Sequence, residues 1–297
     1  MTIQIAADDP AADAGARAGT DSARRASRSA DTERRTRRRG SRISAIRSIA
    51  AVIAFLLVWQ GLTQWNVDAG LRFSSLPSVT EIVARFVEQL GQFEYYLDII
   101  QSLLRILTGF AIAAVVGVAT GIALGRSRVA ADTLGTLIEI IRPIPAIALV
   151  PVAILMFPTS ESGIVAITFL AAFFPIMVST RHAVRALPTL WEDSVRTLGG
   201  RPRDVLLHVV LPGILPGVFG GLSVGLGVAW ICVISAEMIS GSLGVGYRTW
   251  QSYTIVDYPG TFVGMITIGI LGSLTSAAVE ILGRKVTSWL PRGERTQ

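Results

Sequence analysis

The side chains that could do chemistry are few and poorly assembled for it. Gly221-Leu-Ser223-Val-Gly225 matches the G-x-S-x-G pattern of serine hydrolases, but that chemistry needs a strained strand-to-helix turn and a histidine partner. Ser223 sits in an apolar run, and the only histidines, His182 and His208, fall in a separate polar loop. Two histidines and the lone Cys232 do not make a transition-metal site. Lys285 is the only lysine, in Gly-Arg-Lys-Val-Thr, without the glycine-rich loop from which a P-loop lysine reaches phosphates. No catalytic residue, cofactor or metal ligand is therefore assigned. Any ATP hydrolysis must be the work of another polypeptide.

Ionisable residues inside apolar runs are the next candidates. Arg105 and Glu237 fall near the outer ends of their runs, Glu139 and Arg142 near the inner end of another. A charge at the centre of a membrane span costs about 2.5–3.5 kcal/mol on insertion scales. Near an interface snorkelling lowers that cost. Arg105, Arg142 and Glu237 are thus candidates for a pathway or gate, with structural anchoring as the alternative. No ladder of Asp, Glu or His crosses the membrane centre, which argues against proton-relay transport.

The elements that hold these residues are apolar. The chain has 297 residues, 51% hydrophobic and 16% charged, where average soluble chains carry roughly 25% charge. Six runs are long enough for a hydrocarbon core of about 30 Å: Ser48–Gln64, Leu103–Leu124, Thr136–Phe157, Gly163–Thr180, Leu215–Ser240 and Thr261–Gly283. The fold class is all-α, a polytopic membrane protein. The net charge of +6 does not point to nucleic acid, because its distribution follows the positive-inside pattern. Eleven arginines precede the first run, five lie between the fourth and fifth, and the opposite loops hold only Arg72, Arg85 and Arg248. Both termini and the 188–213 loop are thereby expected in the cytoplasm, in a cell (plasma or inner) membrane.

Residues 1–42 are Arg-rich and almost without large apolar side chains, which predicts a disordered cytoplasmic tail touching anionic membrane lipid. Residues 43–98 should hold the first span and an outer amphipathic helix, with Val79, Ile82, Val83, Phe86, Val87 and Leu90 opposite Glu81, Arg85, Glu88 and Gln89. Residues 99–285 form the core transmembrane domain, and 286–297 a cytoplasmic tail. Glycines four apart (Gly117, Gly121, Gly125 with Gly109; Gly213, Gly217, Gly221, Gly225) predict close helix packing, within or between subunits. Arg142-Pro-Ile-Pro145 and Pro151 predict either a broken third span or a helix starting after Pro145.

The 188–213 loop is a helix–break–helix unit. Trp191, Val195 and Leu198 fall on one apolar face, and Glu192 and Asp193 near the helix start suit the macrodipole. Gly199-Gly200 ends the helix, Pro202 suits the first turn of a second, and Pro212 is predicted to stop it.

This loop resembles the EAA loop of ABC importer permeases, whose pattern is E-A-A, three residues, G, nine residues, I-x-L-P. The match is Asp193-Ser194-Val195, Gly199, Val209, Leu211 and Pro212, without a gap. It departs in Asp for Glu, Ser-Val for Ala-Ala and Val for Ile. Leu76-Pro-Ser78, Ser102-Leu-Leu-Arg105, Arg142-Pro-Ile-Pro145, Phe173-Phe-Pro175, Ala236-Glu-Met238 and Gly244-Val-Gly246 look like the nitrate/sulfonate/taurine subgroup. The resemblance implies a type I ABC importer permease fold and a homodimer with a second permease copy. It also implies ABC ATPase subunits docked on the loop and an extracytoplasmic solute-binding protein. The ATPase-docking residues it implies are Trp191, Asp193, Ser194, Val195, Leu198, Gly199, Arg203, Leu211 and Pro212. The solute would be a small oxyanion or sulfonate such as nitrate, taurine or an alkanesulfonate. An ATP-independent secondary transporter or channel is the alternative, although no internal repeat or membrane-centre ion ligand supports it.

Overall fold

The computed structural model describes residues 46–65 and 76–289. The expected tail at 1–42 and residues 290–297 of the C-terminal tail lie outside the described residues. All regular structure among the described residues is helical. The chain divides into two compact units, Met1–Val79 and Thr80–Gln297, so most of the amphipathic helix joins the core and not the first span.

In the first unit, α1 (Ile46–Gln64) is apolar all round and buries none of its most apolar window within the chain. A helix of that kind belongs in lipid. Trp59 stacks edge-on with Phe55 at a centroid distance of 5.9 Å and donates its indole N–H to the Pro77 carbonyl at 3.1 Å.

The second unit begins with α2 (Val79–Leu90). The sequence places Gln89 on its polar side, whereas the structure buries Gln89 with Ile82. The two are seven residues apart, two turns along one face, so the buried stripe simply runs on through the glutamine. Then follow α3 (Phe93–Arg126), α4 (Arg128–Ile141), α5 (Ala146–Met156), α6 (Ser160–Arg185), α7 (Thr189–Thr197), α8 (Pro202–Ser240), α9 (Val245–Thr254) and α10 (Tyr258–Val286). Among the described residues, five helices, α1, α3, α6, α8 and α10, are long and apolar enough to cross a membrane, and the bent pair α4/α5 makes up to six.

The third span is broken, with α4 and α5 meeting at 78°. Arg142 still has helical dihedrals (φ −52°, ψ −37°), and the chain leaves the helix across Pro143–Pro145, with Pro145 itself extended at φ −61°, ψ 124°. Pro151 does not kink a helix. It sits in the first turn of the α-helical part of α5, where no N–H is needed.

Pro212 corrects an expectation. It does not stop the second loop helix, because α8 runs unbroken for 39 residues from Pro202 to Ser240. A π-turn at Leu206–Val210 loosens the hydrogen-bond ladder just ahead of it, so Pro212 falls at the start of the renewed α register.

Both glycine stripes close on the same helix, α6. A Cβ on Gly109 would lie 2.7 Å from Thr168 Cβ, one on Gly121 2.6 Å from Thr180 Cβ, and one on Gly125 2.6 Å from Val184 Cγ1. From the other side, a Cβ on Gly217 would lie 2.5 Å from Ala183 Cβ, and one on Gly221 2.7 Å from Ser179 Cβ. The stripes therefore mark packing within the subunit. Thr168 and Thr180 donate their hydroxyls to Ile164 and Ile176 carbonyls of their own helix, at 2.6 and 2.8 Å. Their methyl sides are left to fill the glycine notches. The G-x-S-x-G match is explained here too: Gly221 and Gly225 are contact glycines of α8, and Ser223 lies mid-helix with no strand-to-helix turn around it. Cys232 is buried apolar packing in the same helix.

Gly121→Val should lower stability by about 1–3 kcal/mol, the usual cost of overpacking. Gly220→Ala, which meets only open space, should be neutral. Thermal unfolding of both purified variants in one detergent checks this; an unchanged midpoint for Gly121→Val would mean the notch can open freely.

Candidate functional site

Two groups of residues stand out, at opposite ends of α6. The first surrounds α7. Leu187-Pro188 ends α6 and starts α7 in an extended conformation at Pro188. Gly199 closes α7 at φ +81°, a left-handed position that favours glycine. The amides of Gly199 and Gly200 bond back to the Arg196 and Val195 carbonyls at 3.0 and 2.9 Å. Asp204 then accepts from the Arg201 amide at 2.8 Å and starts α8, with Pro202 in the first turn.

The expected single apolar face of α7 splits. Val195 turns inward and packs with the buried cluster of Val205, Val210 and Ile214. Leu198 is 89% exposed, because its dihedrals (φ −79°, ψ 9°) leave the helix and carry its side chain off the face. Leu190 is exposed and Trp191 about half so. Asp193, Ser194 and Arg203 are exposed, while Leu211 and Pro212 are half-buried at the foot of α8. Trp191 also touches the position a Gly213 Cβ would occupy, at 3.7 Å.

Sequence reasoning missed what holds α7 in place. Arg126, at the end of α3, forks onto both oxygens of Glu192 at 2.7 and 3.1 Å, and Arg196 adds a contact to Glu192 at 3.2 Å. The Arg126 guanidinium holds the Glu192 carboxyl below the usual glutamate range. Asp193, one residue on, is free to face a partner, with only Arg196 at 3.6 Å. The signal available was the run Glu192-Asp193 in a first turn; the matching arginine, 66 residues away, carries no such mark.

Arg142 lies at this same end, in the α4/α5 break. It is half exposed and 3.7 Å from Glu139, which also pairs with Arg181 at 3.1 Å. It is not brought near Arg105 or Glu237.

The second group joins those two. Arg105 on α3 is 2% exposed and Glu237 on α8 is 0% exposed; Arg105 Nη1 donates to Glu237 Oε1 at 2.9 Å. Glu237 also accepts from Ser102 Oγ at 2.7 Å and from the Gly246 amide at 2.9 Å. Asp98 accepts from the Gly244 amide at 2.8 Å and from Arg248 Nε at 2.5 Å, and Ser102 accepts from the Val245 amide at 3.0 Å. Three carboxylate or hydroxyl groups thus satisfy the first amides of α9, where the helix dipole favours negative charge. A Cβ on Gly244, at φ +139°, would lie 2.4 Å from the Glu237 carboxyl. Only glycine lets the carboxylate this close.

The remaining edge of Arg105 faces Glu161, in the first turn of α6. Arg105 Nε donates to Glu161 Oε2 at 2.8 Å and Nη2 donates to Oε1. Arg105 also donates to the Leu243 carbonyl. Asp98, Glu161 and Arg248 were not singled out as site residues from the sequence, and Ser102 entered only as part of the Ser102-Leu-Leu-Arg105 stretch. The three charges read as ordinary flanking residues until the helices are paired.

Residues 100–288 match the family described as "Binding-protein-dependent transport system inner membrane component". The chain belongs to that family of ABC importer permeases. A putative ABC transporter permease of Methanocaldococcus jannaschii is 34% identical over 63% of this chain and 71% of its own length. The bicarbonate transport system permease protein CmpB of Synechococcus elongatus is 30% identical over 80% and 87%. The nitrate import permease protein NrtB of Synechocystis is 28% identical over 80% and 87%. These relatives place the permease in the nitrate-like subgroup. A permease chain in inward-facing structures of the MetNI methionine ABC transporter superposes with a TM-score of 0.54 at 19% identity, covering 68% of this chain and 98% of that one. That likeness shows the type I importer fold. The permease is a multi-pass membrane subunit, not an enzyme.

Removing Glu237 by Glu237→Ala would leave Arg105 Nη1, the Ser102 hydroxyl and the Gly246 amide without their acceptor in a buried site. The expected loss is about 3–5 kcal/mol, typical for breaking a buried pair, read by thermal unfolding; a loss under 1 kcal/mol would mean water takes over its role. At the other end the Arg126–Glu192 tie is partly exposed and should contribute only about 0.2–1 kcal/mol. Because the Glu192 carboxyl is held low, that contribution is present above the ordinary glutamate value and disappears as pH falls through the lowered one. Protection of α7 amides, measured against their intrinsic exchange rates, should therefore stay unchanged from pH 7 to 5, fall only in more acid solution, and be a few-fold lower at pH 7 in Arg126→Gln.

Proposed function

We propose that this permease forms the translocation path of an ATP-driven importer for a small oxyanion or sulfonate, and that α7 is where a separate ABC ATPase docks. The observation that carries the reading is the split construction of α7. Val195 and Glu192 fix it to the bundle, while Leu190, Trp191, Asp193 and Leu198 face outward at the arginine-rich end of the chain. A helix held on one side with apolar and acidic groups on the other is suited to a groove in a partner. The arginine bias supports placing that end, with both termini, in the cytoplasm.

Further partners follow from the family: an extracytoplasmic solute-binding protein and a second permease copy. The exposed apolar side chains of α5, Val152, Leu155 and Met156, suit either that copy or lipid. The relatives named for nitrate and bicarbonate support a small, flat monoanion as solute. Arg105, buried at the end away from α7, supplies the cation such a solute would need.

Co-purification of the tagged chain in mild detergent tests the docking. A stoichiometric ATPase should accompany the wild type. Leu198→Asp, Asp193→Arg or Gly199→Pro should release it and abolish uptake in proteoliposomes, with membrane insertion intact. Solute movement by the chain alone, without any ATPase, would replace this reading with a secondary transporter.

A further inference from the structure

Arg105 is held on two sides by different kinds of partner. Toward the core its Nη1 is fixed by fully buried Glu237 and by the Leu243 carbonyl. Toward the outside its Nε and Nη2 edge grips Glu161, whose side chain is 49% exposed. The core contacts cannot be given up without stranding buried groups. The Glu161 contact can, because a half-exposed carboxylate that swings away is solvated by water.

The place Glu161 would vacate is lined with donors. Two N–H groups of the guanidinium edge point into it. Gln101 Nε2, now 3.0 Å from Glu161 Oε2, points into it as well. Ser242 Oγ lies 3.4 Å from Arg105 Nη2, and the first turn of the 26-residue helix α6 starts there, capped by Thr159 at 3.2 Å. A planar guanidinium edge matches two oxygens of a carboxylate, and it matches two oxygens of nitrate, bicarbonate or a sulfonate equally well. The helix start adds partial positive charge. Exchanging the Glu161 carboxylate for a free monoanion leaves the charge beside Arg105 unchanged, so no new charge imbalance is buried.

We propose that Glu161 is a built-in stand-in for the transported anion: it occupies an oxyanion site on Arg105 and Gln101, closes that end of the bundle, and gives way to the solute. The proposal rests on the reading of the chain as a small-oxyanion importer and names the site where the solute is held. An anion binds only the fraction of molecules in which Glu161 has swung out, so the resident carboxylate lowers apparent affinity by that fraction.

The test is calorimetric titration of the full-length chain in nanodiscs with sodium nitrate and sodium methanesulfonate, against sodium chloride at equal ionic strength. Glu161→Gln should bind one or both at least about tenfold more tightly than wild type. Glu161→Gln,Gln101→Leu should lose part of that gain. Glu94→Gln, which removes an exposed charge near the same end without a hydrogen bond to Arg105, should bind as wild type does. An unchanged affinity in Glu161→Gln, or an equal gain in Glu94→Gln, would overturn the proposal. Co-purification of the ATPase with Glu161→Gln is scored separately. If the ATPase is retained and affinity does not change, the stand-in fails while the importer reading survives. If affinity rises and no ATPase accompanies any form of the chain, the importer reading fails by itself.

Discussion

Everything in the second unit is set by how closely α3 and α8 approach α6. Two helices that meet through Leu or Phe keep their axes apart; two that meet through glycine bring backbone against side-chain stem, with a hypothetical Cβ overlapping its neighbour by up to an ångström or so. In lipid there is no hydrophobic gain from apposing apolar faces, so this close van der Waals fit is the main source of attraction. Ile176 is reached from both sides, by Gly117 of α3 and Gly225 of α8, which fixes the three helices against one another. The register so produced is what sets Arg105 opposite Glu237 and Glu161. A buried ion pair is not a source of net stability by itself. Here it is tolerable because packing has already put every partner in hydrogen-bonding range.

The two ends of the bundle are built by opposite rules. At the Arg105 end, charge is buried, fully hydrogen-bonded and tied to the start of α9, so any displacement of Glu237 would strand several groups at once. At the α7 end, charge is partly exposed and paired through contacts such as Arg126–Glu192 and Arg181–Glu139. Such contacts hold an element but cost little to break, because water can take over. A helix pushed by a partner, as proposed for α7, would belong at the second kind of end.

Much of this was legible in the chain. Hydropathy located every apolar run, because about 20 apolar residues in a row have few other uses, but α3 and α8 begin well before their apolar runs, at Phe93 and Pro202, in stretches polar enough to hide the helix. The Gly199 turn and the Pro202 helix start were legible because each rests on a backbone rule. Gly spacing predicted close packing, but not that both stripes share α6, since a stripe has no mark naming its partner. Pro212 was misread because a π-turn can absorb a proline, and a one-residue change in helical register leaves no composition signal. Leu198 was placed on the apolar face by a period that ends one residue earlier. The ionic cluster was half legible. Arg105 and Glu237 stood out by being charged within apolar runs, whereas Asp98, Glu161 and Arg248 sit where charge is unremarkable and gain meaning only through contacts across more than 50 residues of chain.

The placement of α6 links the two ends mechanically. It runs from its first turn, where Glu161 grips Arg105, to Arg185, and after three intervening residues α7 begins. A helix of 26 residues at 1.5 Å per residue is a rod of about 39 Å. On the proposed docking, a push on α7 would reach α6 through the short extended Leu187-Pro188 connection, which has little length in which to absorb it. Thr168, Thr180 and Val184, seated in the glycine notches, oppose a free slide, so the rod moves only as those contacts re-seat. Such a motion would change the distance from Glu161 to Arg105, since Arg105 sits on α3 and is also held by Glu237 of α8 and the Leu243 carbonyl. The one escape is bending at Pro175, whose ring removes a backbone hydrogen bond in the middle of the helix. The same proline therefore decides how much of a displacement at α7 arrives at Glu161. A stiffer helix there would carry the whole motion, and a looser one would leave the outer end shut while the inner end moves.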